Sequence, residues 1–262
     1  DFFIYNFKEY LFYKELHLNS NVKAKGIYFL PNLLTTMGLF GGFFAIISAI
    51  NGNFSISAYA IFIAMLLDGL DGRVARLTGT ESAFGGEFDS LADMVSFGVG
   101  PALVMYSWSY SFYGKLGWAI SFLYVAAVAL RLAKFNSQEQ DKNFFKGLPS
   151  PAGAASMMSF LWVIEYYELN NQFFSVLSLV FGVIVALLMI SNVPYASFKA
   201  QDVNKKISWF YAFLIVAAFC LIAVAPAIIV FLSFMIYILS GVFIAFNKKS
   251  FIKRIKKVTN II

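Results

Sequence analysis

Residues 68–93 read DGLDGRVARLTGTESAFGGEFDSLAD and connect two long apolar runs, at roughly 53–75 and 90–112. A run of about 20 apolar residues is long enough to cross the ~30 Å hydrocarbon core of a bilayer. Lipid offers no partner to backbone N–H and C=O groups, so runs of this kind form helices that satisfy those groups internally. The pattern therefore predicts two membrane helices joined by a connection that is rich in aspartate and glycine.

The whole chain has the composition of a membrane protein. Of its 262 residues, 60% are apolar, 13% are charged and 31 are phenylalanine. Soluble domains carry about 25% charged residues, and disordered chains are poor in aromatic residues. Both of those classes are therefore excluded. The single cysteine, Cys220, lies in an apolar run, so a disulfide framework within the chain is excluded as well.

Hydropathy predicts an all-α fold, a polytopic transmembrane helical bundle of about eight spans. An N-terminal segment, 1–27, mixes phenylalanines with lysines and glutamates and is expected to form an amphipathic helix at the membrane interface. The transmembrane domain is expected at 28–246 and a basic cytoplasmic tail at 247–262. The expected spans are roughly 28–50, 53–75, 90–112, 116–135, 152–168, 173–194, 209–225 and 227–246.

The distribution of lysine and arginine predicts the orientation of these spans. With eight spans both termini lie on one side, which collects nearly all of the cationic loop residues, whereas the other side holds Lys115 alone. Because basic loops face the cytoplasm, we expect a multi-pass protein of the cytoplasmic membrane, with both termini and the acidic connection on the cytoplasmic side. The net charge of +6 fits anionic membrane lipids as partners, and no nucleic-acid partner is expected.

Four aspartates lie near the cytoplasmic ends of the second and third spans. Asp68 and Asp71 are three residues apart, and Asp89 and Asp93 are four apart, so each pair shares a helix face. A carboxylate at membrane depth is costly and marks a functional site. Four like charges repel unless cations neutralise them, and oxygen ligands suit Mg²⁺ or Mn²⁺. The spacing therefore predicts a site for two divalent cations, an arrangement that serves displacement at phosphorus.

Two other interpretations of the acidic cluster stay open. The first is a structural cluster in which Arg73 and Arg76 pair with the aspartates, although four acids against two arginines leave charge uncompensated. The second is the cation site of an ion-coupled transporter. Transporter sites usually lie near the bilayer midplane on broken helices, whereas these acids lie at the ends of spans.

The spacing of residues 68–93 resembles the signature D-x-x-D-G-x-x-A-R-x(8)-G-x(3)-D-x(3)-D of the CDP-alcohol phosphatidyltransferases, and every fixed position matches. The resemblance implies transfer of a phosphatidyl group from a CDP-linked donor to an alcohol, with release of CMP. It implies that Asp68 and Asp89 bridge two metal ions, that Asp71 completes the first metal site, and that Asp93 completes the second. Asp93 would also take the proton of the attacking alcohol as the catalytic base.

The resemblance also implies contacts to CDP-diacylglycerol. Pro31-Asn32-Leu33-Leu34-Thr35 looks like the family's P-N-x-x-T segment, which is associated with the nucleotide. The residues expected to contact the donor are Asn32, Thr35, Gly72, Ala75, Arg76 and Ser82.

The acceptor is predicted from two further segments. Residues 131–136, RLAKFN, and 145–154, FKGLPSPAGA, resemble the R-x-A-R-F-N and F-x-G-L-P-S-P-A segments of the branch that transfers to serine. The resemblance implies L-serine as the substrate and a homodimer as the assembly. Lys134 departs from the pattern, since a lysine keeps the charge but lacks the planar fork of arginine. The residues expected in the acceptor pocket are Arg131, Lys134, Asn136 and Ser150.

Alternatives remain for the acceptor half of the site. Glycerol 3-phosphate or inositol would use the same chemistry, although a phosphorylated acceptor favours a denser basic pocket. Arg131 and Lys134 would also be explained if their side chains extended to the cytoplasmic head groups.

Overall fold

The computed structural model of the protein describes residues 30–137, 144–196, 221 and 223–259. The expected amphipathic segment 1–27, most of the span expected at 209–225, and Cys220 lie outside the described residues. The described part is mainly helical. Its helices are α1 Leu30–Ile50, α2 Phe54–Thr78, α3 Ala83–Asp93, α4 Gly100–Trp108, α5 Lys115–Ser137, α6 Ser150–Tyr166, α7 Gln172–Ile190 and α8 Pro226–Thr259.

Six helical segments among the described residues are long and apolar enough to cross a membrane, which agrees with a multi-pass membrane protein. The third is continuous from Ala83 to Trp108, because a π-helical turn, Met94–Val99, joins α3 to α4. It begins seven residues before the span expected at 90–112. The six segments are Leu30–Ile50, Phe54–Thr78, Ala83–Trp108, Lys115–Ser137, Gln172–Ile190 and Pro226–Phe246.

The helix α6, Ser150–Tyr166, corresponds to the span expected at 152–168 and has the same length of 17 residues. It lies at the centre of the bundle, where it packs against α2, α7 and α8. Most of its side chains are buried, from Ser150 to Ile164. A helix that is enclosed by other helices can carry small and polar residues, because it does not need to present an apolar surface to lipid.

The short connection between α2 and α3 follows from local helix chemistry. Gly79 adopts φ +63°, a left-handed conformation that favours glycine, and its N–H bonds to the carbonyl of Arg76. Ser82 then caps α3, since its hydroxyl oxygen accepts the N–H of Gly85 at 3.0 Å. The C-cap of α2 at Gly79 and the N-cap of α3 at Ser82 are only three residues apart, and this short connection brings the two halves of the acidic stretch together.

Glycines of α1 pack against other segments of the same chain. A Cβ atom on Gly42 would lie 2.5 Å from the Cα atom of Ser96, within the π-helical turn. The Ser96 hydroxyl donates to the carbonyl of Gly38 at 3.0 Å. This close contact holds α1 against the segment that follows Asp93.

A two-stranded antiparallel sheet is the departure from the all-helical expectation. Phe144–Lys146 (β1) pairs with Pro194–Ala196 (β2), with Phe145 opposite Tyr195. Gly147 follows β1 with φ +86°, and a Cβ atom there would collide with the Met189 carbonyl. The sheet ties the entrance of α6 to the segment after α7, which shortens the span expected at 173–194 to Gln172–Ile190.

Candidate active site

Three aspartates converge where α2 ends and α3 begins. Asp68, Asp71 and Asp89 each offer a carboxylate oxygen, and these oxygens all lie within 4.8 Å of one another. Asp71 is buried, with 5% of its surface exposed, and the other two are half-buried. Carboxylate oxygens at this spacing are the ligands that a hard divalent cation prefers. The group can therefore hold a metal ion, as the helical spacing predicts.

Asp93 lines a small cavity together with these three aspartates. Its side chain is in hydrogen-bonding contact with Asp68, one turn along α3 from Asp89. Arg131 of α5 lies within electrostatic range of both Asp93 and Asp68. Asp93 therefore lies near both the other carboxylates and the cation of Arg131, and its expected roles as ligand and base remain predictions.

Thr35 makes a contact that the sequence did not predict. Its hydroxyl lies 2.6 Å from Asp71 Oδ2 and 3.1 Å from the carbonyl of Pro31. A hydroxyl carries one proton, and a charged acceptor makes the stronger bond. The hydroxyl of Thr35, which belongs to α1, therefore fixes the orientation of the Asp71 carboxylate.

A cavity of about 240 Å³ opens beside the aspartates. All six residues that were expected to contact the donor line it, together with Asp71 and Asp89. The structure adds lining residues that the signature leaves variable, among them Thr80 and Glu81. The lining residues are Pro31, Asn32, Thr35, Asp71, Gly72, Ala75, Arg76, Thr80, Glu81, Ser82, Gly85, Gly86 and Asp89.

Glycines keep this cavity open. A Cβ atom on Gly85 would lie 3.1 Å from Ser82 Oγ and 3.6 Å from Asn32 Oδ1. A Cβ atom on Gly72 would lie 3.6 Å from a guanidinium nitrogen of Arg76. Side chains at these two positions would fill space beside the polar groups that a ligand would contact.

The predicted acceptor residues form separate contacts around one end of α5. Arg131 Nη1 donates to the buried Ser150 Oγ at 2.7 Å, and its guanidinium lies 5.9 Å from the ring of Phe135. Its Nε atom is buried and has no hydrogen-bond partner among the described residues. Arg131 therefore points toward α6.

Lys134 and Asn136 have other partners. Lys134 Nζ donates to Asn192 Oδ1 at 2.9 Å, and Asn136 Nδ2 lies 3.0 Å from Ser90 Oγ. Ser90 follows Asp89 directly, so Asn136 reaches the edge of the aspartate group. Asn192 and Ser90 lie 58 and 46 residues from their partners, and no local pattern could have indicated them.

Comparison with known proteins agrees with the motif. A model of the CDP-alcohol phosphatidyltransferase family matches residues 28–246. A CDP-diacylglycerol–serine O-phosphatidyltransferase of Helicobacter pylori is 37% identical over 218 residues, covering 82% of this chain and 90% of the relative. A protein of the same name from Mycobacterium tuberculosis is 36% identical, covering 79% and 75%. The archaetidylserine synthase of Methanothermobacter thermautotrophicus is 35% identical over 168 residues, covering 63% and 69%.

Proposed function

The chain belongs to the CDP-alcohol phosphatidyltransferase family, and we propose that it transfers the phosphatidyl group of CDP-diacylglycerol to L-serine, giving phosphatidylserine and CMP. The observation that carries the proposal is the convergence of three aspartates beside a cavity that is lined by all six residues expected to contact the donor. The relatives named for transfer to serine support the choice of acceptor.

The donor half of the site is assigned to the cavity beside Asp71 and Asp89. Arg76 supplies a planar guanidinium suited to a phosphate, and Asn32 supplies an amide for the nucleotide. Asp68, Asp71, Asp89 and Asp93 would hold two divalent cations, Mg²⁺ or Mn²⁺, which neutralise the diphosphate and the charge on the leaving group. The convergence of three carboxylate oxygens supports this assignment.

The reaction is assigned as a direct displacement at the lipid-attached phosphorus. The serine hydroxyl oxygen forms the new bond to that phosphorus. The bond between the phosphorus and the bridging oxygen of the diphosphate breaks. The bonding electron pair leaves with CMP, and the hydroxyl proton passes to a carboxylate oxygen of Asp93. The position of Asp93, near both Asp68 and Arg131, supports this role.

The acceptor half is assigned to Arg131 and Ser150. A carboxylate of serine would accept from the buried Nε of Arg131, which lacks a partner among the described residues. A buried donor without a partner is costly, so an external acceptor is favoured there. The Ser150 hydroxyl fixes the other side of the guanidinium at 2.7 Å.

The proposal includes a homodimer and a cytoplasmic orientation of the active site. The six candidate membrane helices support a multi-pass protein. The arrangement that we propose places the active site and both termini at the cytoplasmic face of the cell membrane, where L-serine is available. Membrane lipids would surround the bundle.

One panel of acceptors tests the proposed function. The purified protein is mixed with CDP-diacylglycerol and Mn²⁺, and CMP release is measured with serine, inositol, glycerol or glycerol 3-phosphate. We expect release that depends on serine and is absent in Asp89→Ala. Release with glycerol 3-phosphate in place of serine would refute the acceptor, and no release with any alcohol would favour a transporter.

A further inference from the structure

A second cavity, of about 550 Å³, opens at the end of the bundle opposite to the aspartates. It is formed where α2 begins and where α4 and α6 end. A volume of this size falls in the range of small-molecule sites. It shares no lining residue with the cavity beside the aspartates, so the proposed transfer reaction gives it no role.

The charged group of this cavity is the half-buried carboxylate of Glu165, near the end of α6. Its Oε1 accepts hydrogen bonds from Trp108 Nε1 at 2.7 Å and from Asn170 Nδ2 at 3.2 Å. These neutral donors fix the carboxylate and leave its negative charge in place. In the part of the chain that the structure describes, no lysine, arginine or histidine pairs with it. A partly buried charge without a counter-ion is costly, which favours a cation from outside.

Aromatic rings line the same cavity as Glu165. Phe54, Tyr113 and Phe174 are half-buried, and Phe112 is 84% exposed. The faces of such rings attract organic ammonium groups, and the attraction grows where water is excluded. One carboxylate among several rings suits an ammonium group better than a metal ion, which would take six or more oxygen ligands.

We propose that this cavity binds an organic ammonium group, with Glu165 as its counter-ion. The group is carried by a small amine or by the head group of a lipid such as phosphatidylethanolamine. The cavity lies where three candidate membrane spans end or begin, at Phe54, Trp108 and Gln172. Span ends lie at the membrane interface, where lipid head groups are concentrated and aromatic residues are enriched.

Calorimetric titration of the whole purified chain in detergent tests the proposal. The ligands are dihexanoyl phosphatidylethanolamine, dihexanoyl phosphatidylglycerol and ethanolammonium chloride. We expect saturable binding of the phosphatidylethanolamine and at least about tenfold weaker binding to Glu165→Gln, because a charged hydrogen bond is lost. Binding of ethanolammonium with equal affinity would identify a free amine as the ligand, and weaker binding would identify the lipid.

Two further variants keep the test decisive. Glu168→Gln is the matched control, because Glu168 is exposed three residues further on and does not line the cavity. Asn170→Ala removes a hydrogen-bond donor that orients Glu165, so we expect this variant also to bind phosphatidylethanolamine more weakly. Because Asn170 lies on an exposed segment, this variant tests the proposal even if Glu165→Gln fails to fold. Equal binding of phosphatidylglycerol, or unchanged binding in the folded Glu165→Gln and Asn170→Ala variants, would overturn the proposal.

Discussion

Replacing Thr35 with valine removes one hydroxyl and keeps the shape of the side chain. The lost contact joins Thr35 Oγ1 to Asp71 Oδ2 over 2.6 Å, where Asp71 is 5% exposed. A hydrogen bond to a charged group contributes about 1.5–3 kcal/mol. Because about 1.4 kcal/mol is a factor of ten in an equilibrium constant, cation binding that depends on the orientation of Asp71 should weaken about ten- to hundredfold.

The assay separates the two roles open to Thr35. Binding of Mn²⁺ is measured directly from the electron paramagnetic resonance signal of the free ion, and the KM for CDP-diacylglycerol is measured at saturating Mn²⁺. We expect Thr35→Val to weaken Mn²⁺ binding and to change the KM little. Thr36→Val is the matched control, because the exposed Thr36 hydroxyl donates to the Asn32 carbonyl at 2.7 Å within the same helix.

The opposite pattern would refute this reasoning. If Thr35→Val binds Mn²⁺ as tightly as the unaltered protein and raises the KM for CDP-diacylglycerol, then Thr35 contacts the nucleotide. Its contact with Asp71 would in that case contribute nothing to cation binding.

Four further substitutions test other contacts. Asp89→Ala should abolish CMP release at every cation concentration, because Asp89 belongs to the converging group of three; recovery of turnover at millimolar Mn²⁺ would contradict this. Asp93→Asn should lose about 10²–10⁴-fold in turnover while still binding CDP-diacylglycerol, since an amide cannot take the proton; a turnover above one tenth would assign the base elsewhere. Arg131→Ala should raise the KM for serine about ten- to hundredfold with little change for the donor, and an unchanged serine KM would remove Arg131 from the pocket. Gly42→Ala should lower the free energy of unfolding by about 1–3 kcal/mol, because the added Cβ meets Ser96 at 2.5 Å, whereas Gly69→Ala, with no atom within 4 Å, should not.

The parts of the site that the sequence predicted are those built from local contacts. The spacing of Asp68 and Asp71 places both on one face of α2, and their convergence with Asp89 follows from the short connection capped by Gly79 and Ser82. Helix periodicity and caps are encoded within a few residues. The family signature, which spans these same elements, was therefore sufficient to identify the family correctly.

The limits of the predicted spans have a physical cause. Hydropathy locates the lipid-facing helices well, because these must present apolar side chains. It also places the central α6 within two residues at each end. Its larger error is the third helix, which begins at Ala83 and not at 90, because the first turns of that helix carry the polar residues of the site. The small sheet could not be predicted either, because Phe145 pairs with Tyr195 fifty residues away and neither strand exceeds three residues.

The proposed donor and acceptor halves of the site differ in how they are held. Arg76, Ser82 and Asp89 belong to one short stretch, so their geometry depends mainly on α2, α3 and their connection. Arg131 is held by Ser150 at the start of α6, and Lys134 is held by Asn192 beyond the end of α7. Because these partners come from different parts of the fold, the proposed acceptor pocket depends on how α5, α6 and the segment after α7 pack. Substitutions in that packing can change acceptor affinity without touching the signature, and this is why a motif identifies the chemistry more readily than the alcohol.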